Sequence, residues 1–87
     1  MKKNWEDEAW EDYLWWQENS KKDFKQINKL LKDIDRNKHD GIGHPEALKG
    51  EYSGYYSRQI NKKDRLIYRI INDKIEIAAC KNHYHDK

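Results

Sequence analysis

The order of the hydrophobic patterns along this 87-residue chain constrains its fold more than any other feature. Apolar residues recur at helical spacing up to about residue 37, and they alternate with polar residues after residue 52. Helical segments followed by strands are typical of an α+β domain, in which helices pack on an antiparallel sheet. A chain of about 90 residues allows one compact domain. We therefore predict a single domain over residues 1–87 that ends in a short tail at 85–87.

Two helices are predicted in the N-terminal part of the chain. The first covers Glu6 to Asn19, where an acidic first turn complements the helix dipole. Ser20, followed three residues later by Asp23, resembles a capping box and predicts the start of a second helix that ends near Asn37. We expect the two helices to pair as a hairpin.

The first helix is unusually rich in aromatic residues. Trp10 and Tyr13 are predicted to belong to the core. Trp15 and Trp16 are adjacent and cannot both face one core. Together with Trp5, these tryptophans indicate a surface for self-association or for a partner, and we expect a homodimer.

A long loop and three strands are predicted after the helices. Glycine and proline recur from Lys38 to Gly50, a composition that breaks both helix and strand. Three β-like runs follow, at Tyr52 to Ile60, Arg65 to Ile71 and Lys74 to Lys81. Their short connections require antiparallel neighbours.

The turn between the last two runs predicts their register. A two-residue turn at Asn72 and Asp73 places Ile71 opposite Lys74, and it pairs Arg69 with Glu76 on the polar face. The opposite face becomes the core. It is predicted to hold Leu66, Tyr68 and Ile70 beside Ala79, Ile77 and Ile75.

Charge is distributed unevenly. The net charge is +2, but residues 1–19 carry two lysines against six acids, which leaves +6 for residues 20–87. A basic region suits nucleic-acid phosphates, although a solvated surface also explains it. The second helix carries a regular basic stripe, which we interpret as a surface that binds a large RNA rather than as a solvated face. The stripe consists of Lys22, Lys25, Lys29, Lys32 and Arg36.

Glu46, Arg65 and His83, with Tyr84 beside it, supply an acid, a cation and an imidazole. This set suffices for RNA cleavage without a metal or another cofactor, because RNA carries its own nucleophile, the 2′-hydroxyl. A protein need only remove that proton, stabilise the phosphorane and protonate the departing 5′-oxygen. Each residue alone is more often ordinary polar surface.

The predicted register does not decide whether His83 and Tyr84 lie in one site with Arg65. It puts Arg65 opposite Cys80, with Tyr84 on the side of Arg65 and His83 on the other side. A bulge or a frayed strand end near Asn82 would bring both into one site.

Other classes of function receive less support. The N-terminal residues lack the apolar core of a signal peptide and no stretch spans a membrane, so we expect a soluble cytoplasmic protein. Cys80 is interpreted as a small buried hydrophobe. A zinc site built on Cys80, His83 and His85 is disfavoured, because a structural site needs four ligands.

Several motifs of this chain closely resemble the YoeB (Txe) family of bacterial toxins, within the RelE/ParE superfamily. They agree in order and spacing over essentially the whole chain. The motifs are WEDYL at 10–14 with WQ at 16–17, GIGHPEALK at 41–49, SGYYSR at 53–58, RLIY at 65–68 and AACKNHY at 78–84.

The resemblance implies a RelE-like α+β fold, with an added edge strand at Lys2 to Trp5. It implies an endoribonuclease toxin that cuts messenger RNA in the A site of the 70S ribosome, in contact with 16S rRNA. The expected products are a 2′,3′-cyclic phosphate or 3′-phosphate and a 5′-hydroxyl. A YefM/Phd-type antitoxin is the implied partner.

The resemblance also implies residue roles. Glu46 matches the general base, Arg65 the phosphate-stabilising cation, His83 the general acid and Tyr84 the aromatic that orients the substrate. Lys49 and Arg58 match basic residues near the scissile phosphate. Apart from the resemblance, Lys81 and Tyr56 are also predicted to bind substrate, and Tyr52, Tyr55 and Tyr56, on a basic sheet, are placed to stack on bases.

Two departures from the family pattern affect this assignment. Gln59 stands where members often carry a second arginine, and His85, Asp86 and Lys87 extend beyond the usual terminal tyrosine. Two alternatives therefore stay open. One is a ribosome-binding translation inhibitor that does not cleave, and the other is a ParE-like gyrase inhibitor on the same fold.

Overall fold

The computed structural model describes residues 1–81, and it has the predicted α+β architecture. Helices α1 (Asp7–Asn19) and α2 (Lys21–Asn37) pack on one face of a sheet. The sheet contains β1 (Lys2–Trp5), β2 (Glu46–Ala47), β3 (Tyr56–Gln59), β4 (Arg65–Ile71) and β5 (Lys74–Ala79), in the spatial order β1-β5-β4-β3-β2. Within residues 1–81, no helix is both long enough and apolar enough to cross a membrane.

The predicted helix hairpin is confirmed, and Ser20 alone separates the two helices. Its backbone N–H donates to the carbonyl of Trp16 at 2.9 Å, which closes α1. Its hydroxyl accepts from the N–H of Asp23 at 3.4 Å and so caps α2. Tyr13 donates its hydroxyl to Asn28 at 2.7 Å, which joins the two helices side by side.

The buried side of α1 differs from the prediction. Ala9 and Trp16, two helical turns apart, face the core, and the indole N–H of Trp16 donates to the carbonyl of Cys80 at 2.7 Å. Trp10 is 44% exposed. The assignment of Trp10 to the core and of Trp16 to the surface was wrong, because Ala9 marks the inward line of the helix.

The edge strand β1 is confirmed, and it pairs with β5 in parallel, Lys2 opposite Lys74 and Trp5 opposite Ile77. Parallel pairing is allowed here because the whole helix hairpin and the rest of the sheet separate the two strands in sequence. All other pairs are antiparallel, as their short connections require. The sheet is therefore mixed.

The middle of the chain is more structured than predicted. The supposed loop contains β2, which pairs with β3 through Glu46 opposite Ser57 and Ala47 opposite Tyr56. The predicted strand from Tyr52 was too long, because Gly50–Tyr52 form a turn of 3₁₀ helix and Gly54 has a φ of 96°. That left-handed conformation suits glycine and interrupts the extended chain.

The register of the β4–β5 hairpin is confirmed at its turn and wrong at its far end. Asn72 and Asp73 both have positive φ, and Ile71 pairs with Lys74. Tyr68 still lies opposite Ile77, but Ile67 lies opposite Ala79, so Ala78 is an extra residue, a β-bulge.

This bulge corrects two predicted pairs, Leu66 with Ala79 and Arg65 with Cys80. Regular alternation would turn Cys80 away from the helices. The extra residue turns it inward, where its thiol is fully buried and donates to the carbonyl of Ala9 at 3.4 Å. This bulge lies at Ala78. The bulge or frayed strand end predicted near Asn82 falls outside the described residues.

The core lies between the helices and the sheet. From the helices it includes Ala9, Trp16, Ile27, Leu30, Leu31 and Ile34, and from the sheet side Ile60, Leu66, Tyr68, Ile75, Ile77 and Cys80. The opposite face of the sheet, called here the helix-free face, carries the site described next.

Candidate active site

Glu46 and Arg65 lie on the helix-free face. One row of paired residues crosses four strands there, from Glu46 to Ser57, Ile67 and Ala79. Arg65 is two residues from Ile67 on β4 and therefore shares this face. From strand spacing and residue rise, the Cα atoms of Glu46 and Arg65 are about 12 Å apart.

Glu46 reaches this face because β2 is fastened to β3. Besides the pairing of Glu46 with Ser57, the N–H of Leu48 donates to the carbonyl of Tyr55 at 2.9 Å. The Glu46 side chain is exposed, whereas Ser57 beside it is buried. The Glu46 carboxylate is thus accessible to solvent, while the backbone that carries it is held by pairing with β3.

Arg65 is half-buried and folds over the turn that precedes it. Its Nη1 donates to the carbonyls of Asn61, Lys62 and Asp64 at 3.0 to 3.3 Å. Within residues 1–81 the structure gives its Nε and Nη2 no hydrogen bond. Gln59 lies directly opposite Arg65 on β3, so the position that departs from the family pattern borders the site.

Arg58, predicted to bind substrate, is fully buried on the helix side of the sheet. Its guanidinium pairs with Asp33, and it also donates to the hydroxyl of Tyr68 and to the carbonyls of Lys38, Asp40 and Ile42. Its burial argues against direct contact with RNA.

Tyr56 also lies on the helix side. Its ring stacks on His39 with centroids 3.7 Å apart and packs near Tyr68. Burial, together with the nearby Arg58, lowers the pKa of His39 below its usual value. Tyr56 and Glu46 therefore face opposite sides of the sheet.

The remaining predicted substrate contacts are spread out. Lys49 is exposed just beyond β2. Lys81 holds its ammonium 4.2 Å from the centre of the Trp15 ring, a cation–π contact that ties it to α1. His83 and Tyr84, like the tail 85–87, lie outside the described residues.

A second polar cluster occupies the helix-free face. Arg69 donates from Nε to Glu76 at 2.7 Å, which confirms the predicted cross-strand pair. Its guanidinium carbon lies 4.8 Å from the centre of the Tyr55 ring. Tyr52 meets Tyr55 edge to face at 5.8 Å. An aromatic surface therefore lies on the same face as Glu46 and Arg65.

The basic stripe of α2 is exposed along its whole length, on the side of the molecule opposite the helix-free face. Its members are Lys22, Lys25, Lys29, Lys32 and Arg36. Among residues 1–81, no three His, Cys, Asp or Glu side chains are grouped so that they could hold a metal ion. Burial raises the pKa of the Cys80 thiol to about 12.

Sequence reasoning missed Asp33 and His39. Asp33 accepts from Arg58 and from the N–H of Ile42, and the bond with Arg58 holds the pKa of Asp33 below its usual value. A signal for Asp33 was available, since it lies between Leu30 and Ile34 on the inward side of α2. His39 gave no such signal, because its partner is distant in sequence.

Comparisons with known proteins agree with one another. Residues 5–84 match the family described as YoeB-like toxin of bacterial type II toxin-antitoxin system. Toxin YoeB of Escherichia coli K12 is 48% identical over 84 residues, covering 97% of this chain and 100% of that protein.

Two solved structures from Staphylococcus aureus are equally similar in sequence. One is a YoeB-YefM complex, with 49% identity and a TM-score of 0.91, covering 97% of this chain and 98% of the other. The other is a YoeB dimer, with 49% identity, a TM-score of 0.90 and the same coverage.

Proposed function

Because the chain belongs to the YoeB-like toxins of bacterial type II toxin-antitoxin systems, we propose that it is a ribosome-dependent endoribonuclease. It cleaves messenger RNA in the ribosomal A site, in the cytoplasm. The observation that carries this proposal is the common face of Glu46 and Arg65, reached from different strands. A phosphodiester lying across that face meets both a carboxylate and a guanidinium.

The reaction follows from those two groups and the family pattern. Glu46 takes the proton of the 2′-hydroxyl as that oxygen attacks phosphorus. Arg65 stabilises the charge that develops on the phosphorane. The bond to the 5′-oxygen breaks and His83 protonates the departing oxygen, while Tyr84 orients the nucleotide. The products are a 2′,3′-cyclic phosphate, hydrolysed further to a 3′-phosphate, and a 5′-hydroxyl.

This chemistry requires no metal or organic cofactor, since the substrate supplies the nucleophile. Lys49 and Lys81 remain the proposed basic contacts to the RNA backbone. Of the tyrosines predicted to stack on bases, Tyr55 keeps that proposed role because its ring shares a face with Glu46, whereas Tyr56 packs against His39 on the helix side. Arg58 is not proposed to contact the RNA, because it is buried.

Two opposite surfaces suit binding inside the ribosome. The helix-free face meets messenger RNA, and the exposed stripe of α2 meets ribosomal RNA on the other side. A free RNA strand would need only one of these surfaces. Two RNA-binding surfaces on opposite sides of the protein therefore favour messenger RNA bound inside the ribosome over free messenger RNA as the substrate.

The proposed protein partners follow the relatives. The YoeB-YefM complex supports a YefM-type antitoxin, which we expect to cover the helix-free face around Arg65, and the YoeB dimer supports a homodimer. An antitoxin with an acidic disordered segment suits such a surface.

Cleavage of messenger RNA on translating ribosomes, mapped by primer extension, tests the function. Glu46→Gln and His83→Ala should each lower the single-turnover rate by about 10²–10⁴-fold, the usual contribution of an acid or base. Arg65→Ala should lower the rate more than ribosome affinity, because its charge acts mainly in the transition state. Glu51→Gln, which removes another exposed acid from the same segment, is the matched control.

Two results would contradict the proposal. If folded Glu46→Gln protein cuts at the wild-type rate, Glu46 is not the general base. Ribosomes stalled by wild-type protein on uncut message identify a non-cleaving inhibitor, and intact message with inhibited gyrase identifies the ParE-like alternative.

A further inference from the structure

Arg58 uses every hydrogen-bond donor that an arginine has. Nε donates to Tyr68, Nη1 to Asp33 and the carbonyl of Ile42, and Nη2 to the carbonyls of Lys38 and Asp40. These are the five N–H groups of a guanidinium. We call Arg58, Asp33 and Tyr68 the Arg58 cluster. No donor of Arg58 remains for a phosphate, and Asp33 neutralises its charge.

Three of the five acceptors are backbone carbonyls of one segment, residues 38–43, between α2 and β2. The Tyr68 hydroxyl also donates to the carbonyl of Lys38 at 3.0 Å, and Asp33 accepts from the N–H of Ile42 at 3.1 Å. The carbonyl of Gly43 accepts from the N–H of Gln59 at 2.7 Å. The segment is thus fixed by hydrogen bonds at Lys38, Asp40, Ile42 and Gly43.

Glu46 follows this segment after only two residues, one of which is Pro45 with its restricted φ. β2 itself is only two residues long, and both residues pair with β3. The backbone that carries Glu46 is therefore held from two directions, by its pairing with β3 and by the fixed segment that precedes it.

We propose that Asp33 and Arg58 are positioning residues for RNA cleavage, holding the 38–43 segment so that Glu46 stands over the helix-free face. The proposal rests on the proposed function and assigns Arg58 a role other than phosphate contact. Because misplacement of a catalytic group by about 1 Å can cost 10²-fold in rate, the effect should appear in the chemical step.

Asp33→Asn removes the charge that pairs with Arg58 and keeps the shape of the side chain. The single-turnover cleavage rate should fall by about 10–100-fold, with ribosome affinity unchanged because the stripe of α2 is untouched. Asp35→Asn is the matched control, since Asp35 also lies on α2 in a salt bridge, with Lys3 and the N-terminal amine. It should cut at the wild-type rate.

The decisive measurement combines Asp33→Asn with Glu46→Gln. If Asp33 acts through Glu46, the double variant should be no slower than Glu46→Gln alone, within about twofold. A rate loss that multiplies with that of Glu46→Gln, or a wild-type rate for Asp33→Asn, would overturn the proposal. A wild-type rate for Glu46→Gln would instead overturn the proposed function, and the positioning role with it.

Tyr68→Phe serves as a second variant in case Asp33→Asn does not fold. It deletes only the hydroxyl that joins Arg58 to Lys38, and a smaller loss of rate with the same non-additivity is expected. His39 reports on the segment, because its stacking on Tyr56 shifts its imidazole proton resonances. Those shifts should change in Asp33→Asn and Tyr68→Phe and stay in Asp35→Asn. Unchanged shifts in both cluster variants would contradict the proposal.

Discussion

Cys80 is the single thiol of the chain, and its surroundings decide its chemistry. It is fully buried, donates to the carbonyl of Ala9, and has a pKa raised to about 12 because burial disfavours the thiolate. The thiolate is the reactive form of cysteine. Cys80 is therefore a packing residue and not a nucleophile.

Burial of this thiol predicts an alkaline loss of stability. In the unfolded chain the thiol ionises near pH 9, whereas in the folded chain it keeps its proton to about pH 12. Stability therefore falls as the pH rises above 9. Relative to Cys80→Ala, wild-type protein should lose about 2 kcal/mol between pH 8 and pH 10.5. Urea unfolding of both proteins at pH 8 and pH 10.5 measures this loss. If the difference in unfolding free energy between wild type and Cys80→Ala is the same at both pH values, the prediction is wrong.

Arg58 and Arg65 show which residue roles a sequence can indicate. Both follow polar or aromatic neighbours in basic strands, and both match cations of the family. They differ in the face of the sheet that they occupy, and only the pairing of β3 with β4 decides that. Once buried, Arg58 pairs with Asp33, a residue 25 positions away that the sequence around Arg58 does not indicate.

At the scale of elements, α2 combines two functions in one helix. Its inward line of Ile27, Leu30, Leu31 and Ile34 packs on the sheet, and its outward line is the basic stripe. Like charges at this spacing repel by a few tenths of a kcal/mol per pair. The fold tolerates that repulsion because burial of the inward line outweighs it.

Charge reversal on the stripe should weaken ribosome binding without unfolding the helix. The triple variant Lys25→Glu, Lys29→Glu and Lys32→Glu should lower affinity and reduce the slope of log affinity against log salt by about 2 to 3. Binding at several salt concentrations measures this. The control reverses Lys2 and Lys74, exposed and paired at the far side of the sheet. An unchanged slope in the triple variant would show that the stripe is a solvated surface that does not bind RNA.

Periodicity predicted the helices and the β4–β5 turn well, because each depends on contacts close in sequence. The stretch 38–59 was predicted less well. Its short strand depends on pairing with β3, and the segment before that strand depends on the Arg58 cluster; glycine-rich sequence carries little local information about either. His83 and Tyr84 stay predictions, since they lie outside the described residues.

At the scale of the whole molecule, the aromatic side of α1 is an exposed apolar surface. Trp10 is 44% exposed and Leu14, one turn later, is 40% exposed. Trp10 also contacts the rings of Trp5 and Tyr13, with centroids 5.5 and 5.6 Å apart. Apolar side chains grouped in this way are typical of a protein interface.

We expect this surface to form the homodimer. Leu14→Lys should convert a dimer into a monomer at micromolar concentration, because a charge buried in an apolar interface lacks a partner. Light scattering coupled to size exclusion measures the mass. Ile71→Lys alters another exposed apolar residue and is the control. A wild-type monomer at that concentration would contradict the prediction.

The extra alanine of β5 makes one position of the molecule tolerant to a change in chain length. Removing Ala78 would leave Tyr68 with Ile77 and Ile67 with Ala79, so both partners survive the deletion. Removing a residue between Lys74 and Ile77 would move side chains on one side of the deletion to the opposite face of the sheet and so expose an isoleucine of the core. Among relatives, single-residue gaps in this strand should collect at Ala78, and such shorter proteins would lose the local bend that directs the chain toward α1.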